Sequence, residues 1–153
     1  MSFIKKLNTL NIDVTNPPKV VGSYLAYRQI GKFIYVSGQL PFRKDGTLIK
    51  GKLGLDMTIE QGQEAAKICT VNIISQVNLA CGGDIDKVKN CIKITGFVNS
   101  TDSFVDQPKV INGASELLVE IFGDNGKHAR AAVSVNSLPL GVAVEIEAIF
   151  EIN

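Results

Sequence analysis

Two charged side chains near the C-terminal end are the best placed to do chemistry. Arg130 stands alone among Ala129, Ala131, Ala132 and Val133, and Glu145 opens a carboxylate row with Glu147 and Glu151. A guanidinium offers paired N–H donors to an anion. A positioned carboxylate can orient a water or move a proton. The sequence from His128 to Ile152 reads as two strands joined at Leu138-Pro139. Alternation puts Ala129, Ala131, Val133 and Val135 on one face of the first strand and Arg130, Ala132, Ser134 and Asn136 on the other. The second strand separates Val144, Ile146, Ala148, Phe150 and Ile152 from Ala143, Glu145, Glu147, Ile149 and Glu151. With the apolar face of each strand turned to the core, Arg130 and Glu145 fall together on the opposite face, where a small anionic ligand could sit. If the strands pair around the proline turn, the two lie within a few residues of directly opposite. Meeting across a subunit boundary is the alternative.

Other chemistries find little support in the residues. The chain has one histidine, His128, and three cysteines, Cys69, Cys81 and Cys91, at wide spacings. That is neither a zinc pattern nor a disulfide framework, and the thiols read as small buried apolar residues. No metal and no cofactor is expected. A formal net charge of +1 without a clustered basic excess argues against nucleic acid. No apolar run is long enough to span a membrane, the N-terminus lacks a signal-peptide pattern, and the expected location is cytoplasmic.

The 153 residues make one domain, 1–153, with residues 1–18 as an N-terminal appendage closed by Asn16-Pro17-Pro18. A strand is expected over Val20–Ile30, a turn at Gly31-Lys32 and a second strand over Phe33–Gly38, making a hairpin. Thr58 with Gln61 forms a capping box ahead of a helix that ends at Gly82-Gly83. Its apolar stripe is Ile59, Gly62, Ala66, Cys69, Ile73, Val77 and Ala80. Its solvent face is expected to hold Glu60, Glu64, Lys67, Ser75 and Asn78. A strand over Lys89–Val98 should put Ile92, Ile94 and Val98 on one side. Asp106 is placed to cap a second helix, with Pro108 in its first turn and Gly123–Gly126 at its end. The order β-β-α-β-α-β-β implies an α+β fold with both helices on one face of a mixed sheet. The other face, carrying Tyr24 or Tyr27, Ile149 and the alanines of the Arg130 strand, then calls for a second subunit.

Ser37-Gly38-Gln39-Leu40-Pro41, Ala129-Arg130 followed by Leu138-Pro139, and Val144-Glu145-Ile146-Glu147-Ala148-Ile149 resemble the RidA family, also called YjgF or reactive-intermediate deaminases. The resemblance runs from about Gly22 to Ile152. It implies a fold like the trimeric type of chorismate mutase, with three subunits closing their sheets into a central barrel and clefts between neighbours. It also implies hydrolysis of 2-imino and enamine acids to 2-keto acids and ammonia. By the same resemblance, Arg130 grips the substrate carboxylate and Glu145 orients water or handles the enamine proton, with Glu147 as its neighbour one period along. Tyr24, Ser37, Gly38, Asn112 and Ala132 line the pocket, with Tyr27 a competitor for Tyr24. The partners implied are a small carboxylate substrate and two further copies of the chain, with sites at their interfaces. Two positions depart from the family pattern. Ala132 stands where a cysteine is common, so no thiol there can be essential, and Gly22-Ser23-Tyr24 replaces Gly-Pro-Tyr. A carboxylate-binding or sensing trimer without turnover is the second reading.

Overall fold

The computed structural model describes residues 2–153. Helix α1 spans Phe3–Thr9, and strands β1 (Tyr27–Ile30) and β2 (Phe33–Gln39) follow as a hairpin. Helix α2 covers Ile59–Ala80, β3 Val88–Asn99, α3 Gln107–Phe122, β4 Ala129–Val135 and β5 Val144–Ile152. The α+β order read from the sequence is therefore present, preceded by α1. Among the described residues, no helix is long and apolar enough to cross a membrane.

The local signals act as their chemistry dictates. Thr58 Oγ1 accepts from the Gln61 backbone N–H, and the Gln61 side chain accepts from the Thr58 N–H, which closes the capping box of α2. Gly82 and Gly83 end that helix at positive φ, as does Gly31 in the turn that pairs Ile30 with Phe33. Asp106 opens α3 without a side-chain capping bond. Its carboxylate instead pairs with Lys109 at 3.4 Å, so Pro108, which needs no N–H partner, is the working start signal.

The sheet runs β1-β2-β5-β3-β4. Strands β4 and β5 thus do not pair around the proline turn. Strand β3 lies between them, parallel to β4 and antiparallel to β5. A parallel pair needs a crossover, and α3 supplies it. Residues 136–143 carry the chain past the end of β3, where the Asn99 amide donates to the Gly51 and Val142 carbonyls. The first strand is also shorter than expected, because residues 21–26 form an irregular loop and only Tyr27–Ile30 joins the ladder. In β3, a bulge between Cys91 and Lys93 shifts the phase, so Cys91 is buried and Ile92 is left half-buried.

Both long helices cover one face of the sheet. Ile34, Val36, Ile94, Val98, Val144, Ile146 and Phe150 pack beneath Ala66, Cys69, Ile73, Ile111, Ala114 and Leu118. Glycine permits close approach at two points of this layer. A Cβ on Gly113 would lie 2.4 Å from the Gln63 carbonyl oxygen where α3 crosses α2, and one on Gly96 would lie 2.5 Å from Ile111 Cδ1. The N-terminal segment is part of the core rather than an attachment to it, since Leu7 and Val14 are buried. Asp86 accepts from the Phe3 and Ile4 N–H groups at the start of α1. The same segment overturns the solvent face expected for α2. Ser75 and Asn78 are buried, with Gln76 donating to the Pro18 carbonyl and Asn78 to the Val14 carbonyl. Among the described residues nothing covers the opposite face of the sheet, which presents Phe33, Tyr35 and Val133, each more than a third exposed.

Candidate active site

Arg130 lies on β4, an edge strand, in the row Arg130–Ile94–Ala148–Val36. Ile94, Ala148 and Val36 are buried under the helices, so the Arg130 side chain also points to the helix side. Its contacts agree. Nη1–H donates to Asn112 Oδ1 at 2.8 Å and to Ser115 Oγ at 3.2 Å, and Nη2–H reaches the Pro108 carbonyl at 3.5 Å, all on α3. A guanidinium has five N–H donors. These contacts engage Nη1 twice and Nη2 once, and Nε–H and a second Nη2–H have no partner among the described residues, so the guanidinium keeps donors for a carboxylate.

Glu145 belongs to the other side of the sheet. It pairs with Phe97, next to the row Ala131–Thr95–Glu147, while its neighbours Val144 and Ile146 are buried under the helices. Sequence alternation therefore had Glu145 right and Arg130 wrong: the Ala129, Ala131, Val133 face of β4 is the uncovered one. A β-bulge in β2 sets Ser37 and Gly38 against β5 between the Val36–Ala148 and Gln39–Ile146 pairs. The Glu145 carboxylate rests over Gly38, where a Cβ would come within 2.9 Å of Oε1. Burial raises the Glu145 carboxyl above its ordinary value, and the neighbouring Glu147 charge adds to the rise. Ser37 Oγ–H donates to the Leu25 carbonyl at 2.6 Å, which ties down the loop that carries Tyr24. Tyr24 is 56% exposed in that loop, outside the strand. Its competitor Tyr27 pairs with Val36 and packs against the core instead.

The candidate residues therefore form two groups. One holds Arg130, Asn112 and, two residues along the same face of β4, Ala132. The other holds Ser37, Gly38, Glu145 and the Tyr24 loop. Within one chain they do not meet. Arg130 and Glu145 are two strand spacings and three residues apart, or about 14 Å between Cα atoms, on opposite sides of the sheet. A shallow concavity of about 360 Å³ on the uncovered face includes Arg28, Tyr35, Ser37, Lys93 and Glu147, but not Arg130. The three thiols are free and buried, with Cys69 Sγ–H directed at the Val144 carbonyl next to Glu145. Burial raises the Cys69 and Cys81 thiols and pushes Cys91 up to about 12, so none is a ready nucleophile.

Two residues that sequence reasoning passed over complete the arginine group. Ser115 Oγ lies 2.8 Å from His128 Nε2, and His128 Nδ1 lies 2.7 Å from the Gly126 carbonyl oxygen. Ser115 sits one helical turn after Asn112, and His128 sits two residues before Arg130, just ahead of β4. Those spacings were the available signal.

A model of the family described as "YjgF/chorismate mutase-like, putative endoribonuclease" matches residues 5–151. Protein TCP17 of Trypanosoma cruzi is 42% identical over 148 residues, 96% of this chain and 92% of that protein. The crystal structure of protein Atu1372 from Agrobacterium tumefaciens, of unknown function, superposes with a TM-score of 0.90 at 41% identity, covering 99% of this chain and 93% of that one. Mouse 2-iminobutanoate/2-iminopropanoate deaminase is 28% identical over 149 residues, 97% of this chain and 92% of that protein. The helices over one face of a mixed five-stranded sheet, together with a family match across almost the whole length, establish that this chain belongs to the YjgF family, also called RidA, and has its chorismate-mutase-like fold.

Proposed function

We propose that the protein is a cofactor-free deaminase of small 2-imino and enamine acids, with each site assembled between two copies of the chain. The observation that carries this reading is the guanidinium of Arg130, held by α3 through Nη1 and Nη2 and lying on an edge strand, with Nε–H unpartnered among the described residues. Support also comes from the mouse relative, which is an imine deaminase.

Arg130 holds the substrate carboxylate. A water oriented by Glu145 adds to the imine carbon, with Glu145 taking its proton. The carbinolamine collapses as the nitrogen is protonated, releasing ammonia and leaving the 2-keto acid. Burial and the Glu147 charge raise the Glu145 carboxyl, which makes its carboxylate a better base than a free one, in keeping with a group that must accept and return a proton. Imines hydrolyse in water unaided, so orientation of three partners is sufficient catalysis and the acceleration required is modest.

Assembly follows from the split groups. Strand β4 is an edge of the sheet, the uncovered face exposes Phe33, Tyr35 and Val133, and the Ser37–Gly38–Glu145 group lies toward the far side of the sheet. Placing the β4 edge of one copy beside that group in the next uses two different patches. Such a head-to-tail interface closes into a ring when the rotation allows, here a homotrimer. The deciding experiment generates 2-imino acid in situ with an amino-acid dehydratase and measures keto-acid release with this protein and with Arg130→Ala. Release at background with the wild-type protein, alongside keto-acid binding that raises the melting temperature, would instead favour a carboxylate-binding trimer without turnover.

A further inference from the structure

We propose that Ser115 and His128 are positioning residues that fix the Arg130 guanidinium for carboxylate binding. This rests on the carboxylate-clamp reading of Arg130. The 2.7 Å approach of His128 Nδ1 to the Gly126 carbonyl oxygen requires a proton between them, because a carbonyl can only accept. A neutral imidazole then has a bare Nε2. That nitrogen, 2.8 Å from Ser115 Oγ, takes the hydroxyl proton. The Ser115 oxygen has only lone pairs left to offer, and one of them faces Arg130 Nη1 at 3.2 Å.

The chain runs from Arg130 Nη1–H to Ser115 Oγ, from Ser115 O–H to His128 Nε2, and from His128 Nδ1–H to the Gly126 carbonyl. Every donor in it has one acceptor. Asn112 Oδ1 fixes the other Nη1 proton at 2.8 Å. Without His128, the Ser115 hydroxyl is free to turn and donate elsewhere, and Nη1 loses a dependable acceptor. Both anchors lie on the Nη1 side, so the relay sets guanidinium rotation and leaves Nε–H and the second Nη2–H to the ligand.

His128 is the only histidine of the chain, so its imidazole ¹⁵N resonances need no assignment. The neutral form should show Nδ1 protonated and Nε2 as a hydrogen-bonded acceptor. In Ser115→Ala the Nε2 resonance should move toward that of a free acceptor, while Nδ1 stays protonated. A proton on Nε2 in the wild-type protein, or an Nε2 signal unmoved by Ser115→Ala, overturns the proposal. The second measurement is affinity for 2-oxobutanoate by titration calorimetry. Loss of one hydrogen bond to a charged group should weaken binding about 10-fold in Ser115→Ala and in His128→Phe. Ser115→Thr, which keeps the hydroxyl, should bind within about twofold of wild type. The same variants should change KM far more than kcat, the mark of a group acting on carboxylate binding alone. Wild-type affinity in Ser115→Ala, while Arg130→Ala abolishes binding, also overturns it. If Arg130→Ala binds as tightly as wild type, the carboxylate-clamp reading fails, and the imidazole spectrum still decides the relay by itself.

Discussion

Removing Arg130 should be close to lethal for activity and nearly silent for the fold. Its guanidinium offers the substrate two charge-assisted bonds, at about 1.5–3 kcal/mol each, so Arg130→Ala should cost about 3–6 kcal/mol of substrate binding. At about 1.4 kcal/mol per decade, kcat/KM falls by roughly two to four orders of magnitude. Arg130→Lys keeps the charge but loses the fork and the two Nη1 anchors, so it should recover about one bond and remain about 10- to 100-fold impaired. Arg130 is exposed, and its intrachain partners Asn112, Ser115 and Pro108 lie at the helix surface, so the melting temperature should shift by only a few degrees. The assay is coupled keto-acid release from 2-imino acid generated in situ, with sedimentation to verify that the oligomer persists. Activity of Arg130→Ala within about fivefold of wild type would refute the clamp.

Gly38→Ala should act on chemistry rather than folding. The new methyl meets only the Glu145 side chain, from Oε1 at 2.9 Å back to Cγ at 3.2 Å, and no backbone, so the carboxylate swings aside, kcat falls about 10- to 100-fold and the melting temperature moves by only a few degrees. Because burial first and Glu147 second raise the Glu145 carboxyl, the acid limb of kcat/KM should lie above the usual carboxylate value of about 4.3, and Glu147→Gln should move it down. The stability consequence has a definite sign. A folded-state pKa raised above the unfolded one contributes stability below the unfolded pKa that is lost as pH rises through the folded one, so Glu145→Gln should stabilise the protein at neutral pH. Gly113→Ala meets backbone, 2.4 Å from the Gln63 carbonyl oxygen, and cannot be relieved by a rotamer change; α2 and α3 must part, at about 1–3 kcal/mol or more, visible in thermal melts.

Much of the fold was legible because its signals are local. The capping box at Thr58, the glycines after α2 and the two-residue turn at Gly31-Lys32 each specify structure through neighbouring residues. What escaped depends on contacts distant in sequence. The position of β3 between β4 and β5 is a register fact that no short pattern encodes. The facing of β4 was misread because an edge strand of alanines and valines has no strongly apolar side, and α3 lies over the face that carries the arginine. Ser75 and Asn78 looked solvent-facing because the segment that buries them lies more than fifty residues earlier. For the site, Arg130 and Glu145 stood out by type and family spacing. Ser115 and His128 did not, since neither bears a charge whose role is plain until Arg130 is seen between them and the ligand edge.

The central claim is that Arg130 of one copy works with Glu145 of the next. Arg130→Ala and Glu145→Gln chains, each inactive alone, should be unfolded together, mixed in equal amounts and reassembled. In a randomly mixed ring, a site regains both groups only where an intact arginine of one chain faces an intact glutamate of its neighbour, so about a quarter of wild-type activity should return. Activity no greater than that of the separate variants, in mixed trimers verified by mass, would contradict a site shared between subunits.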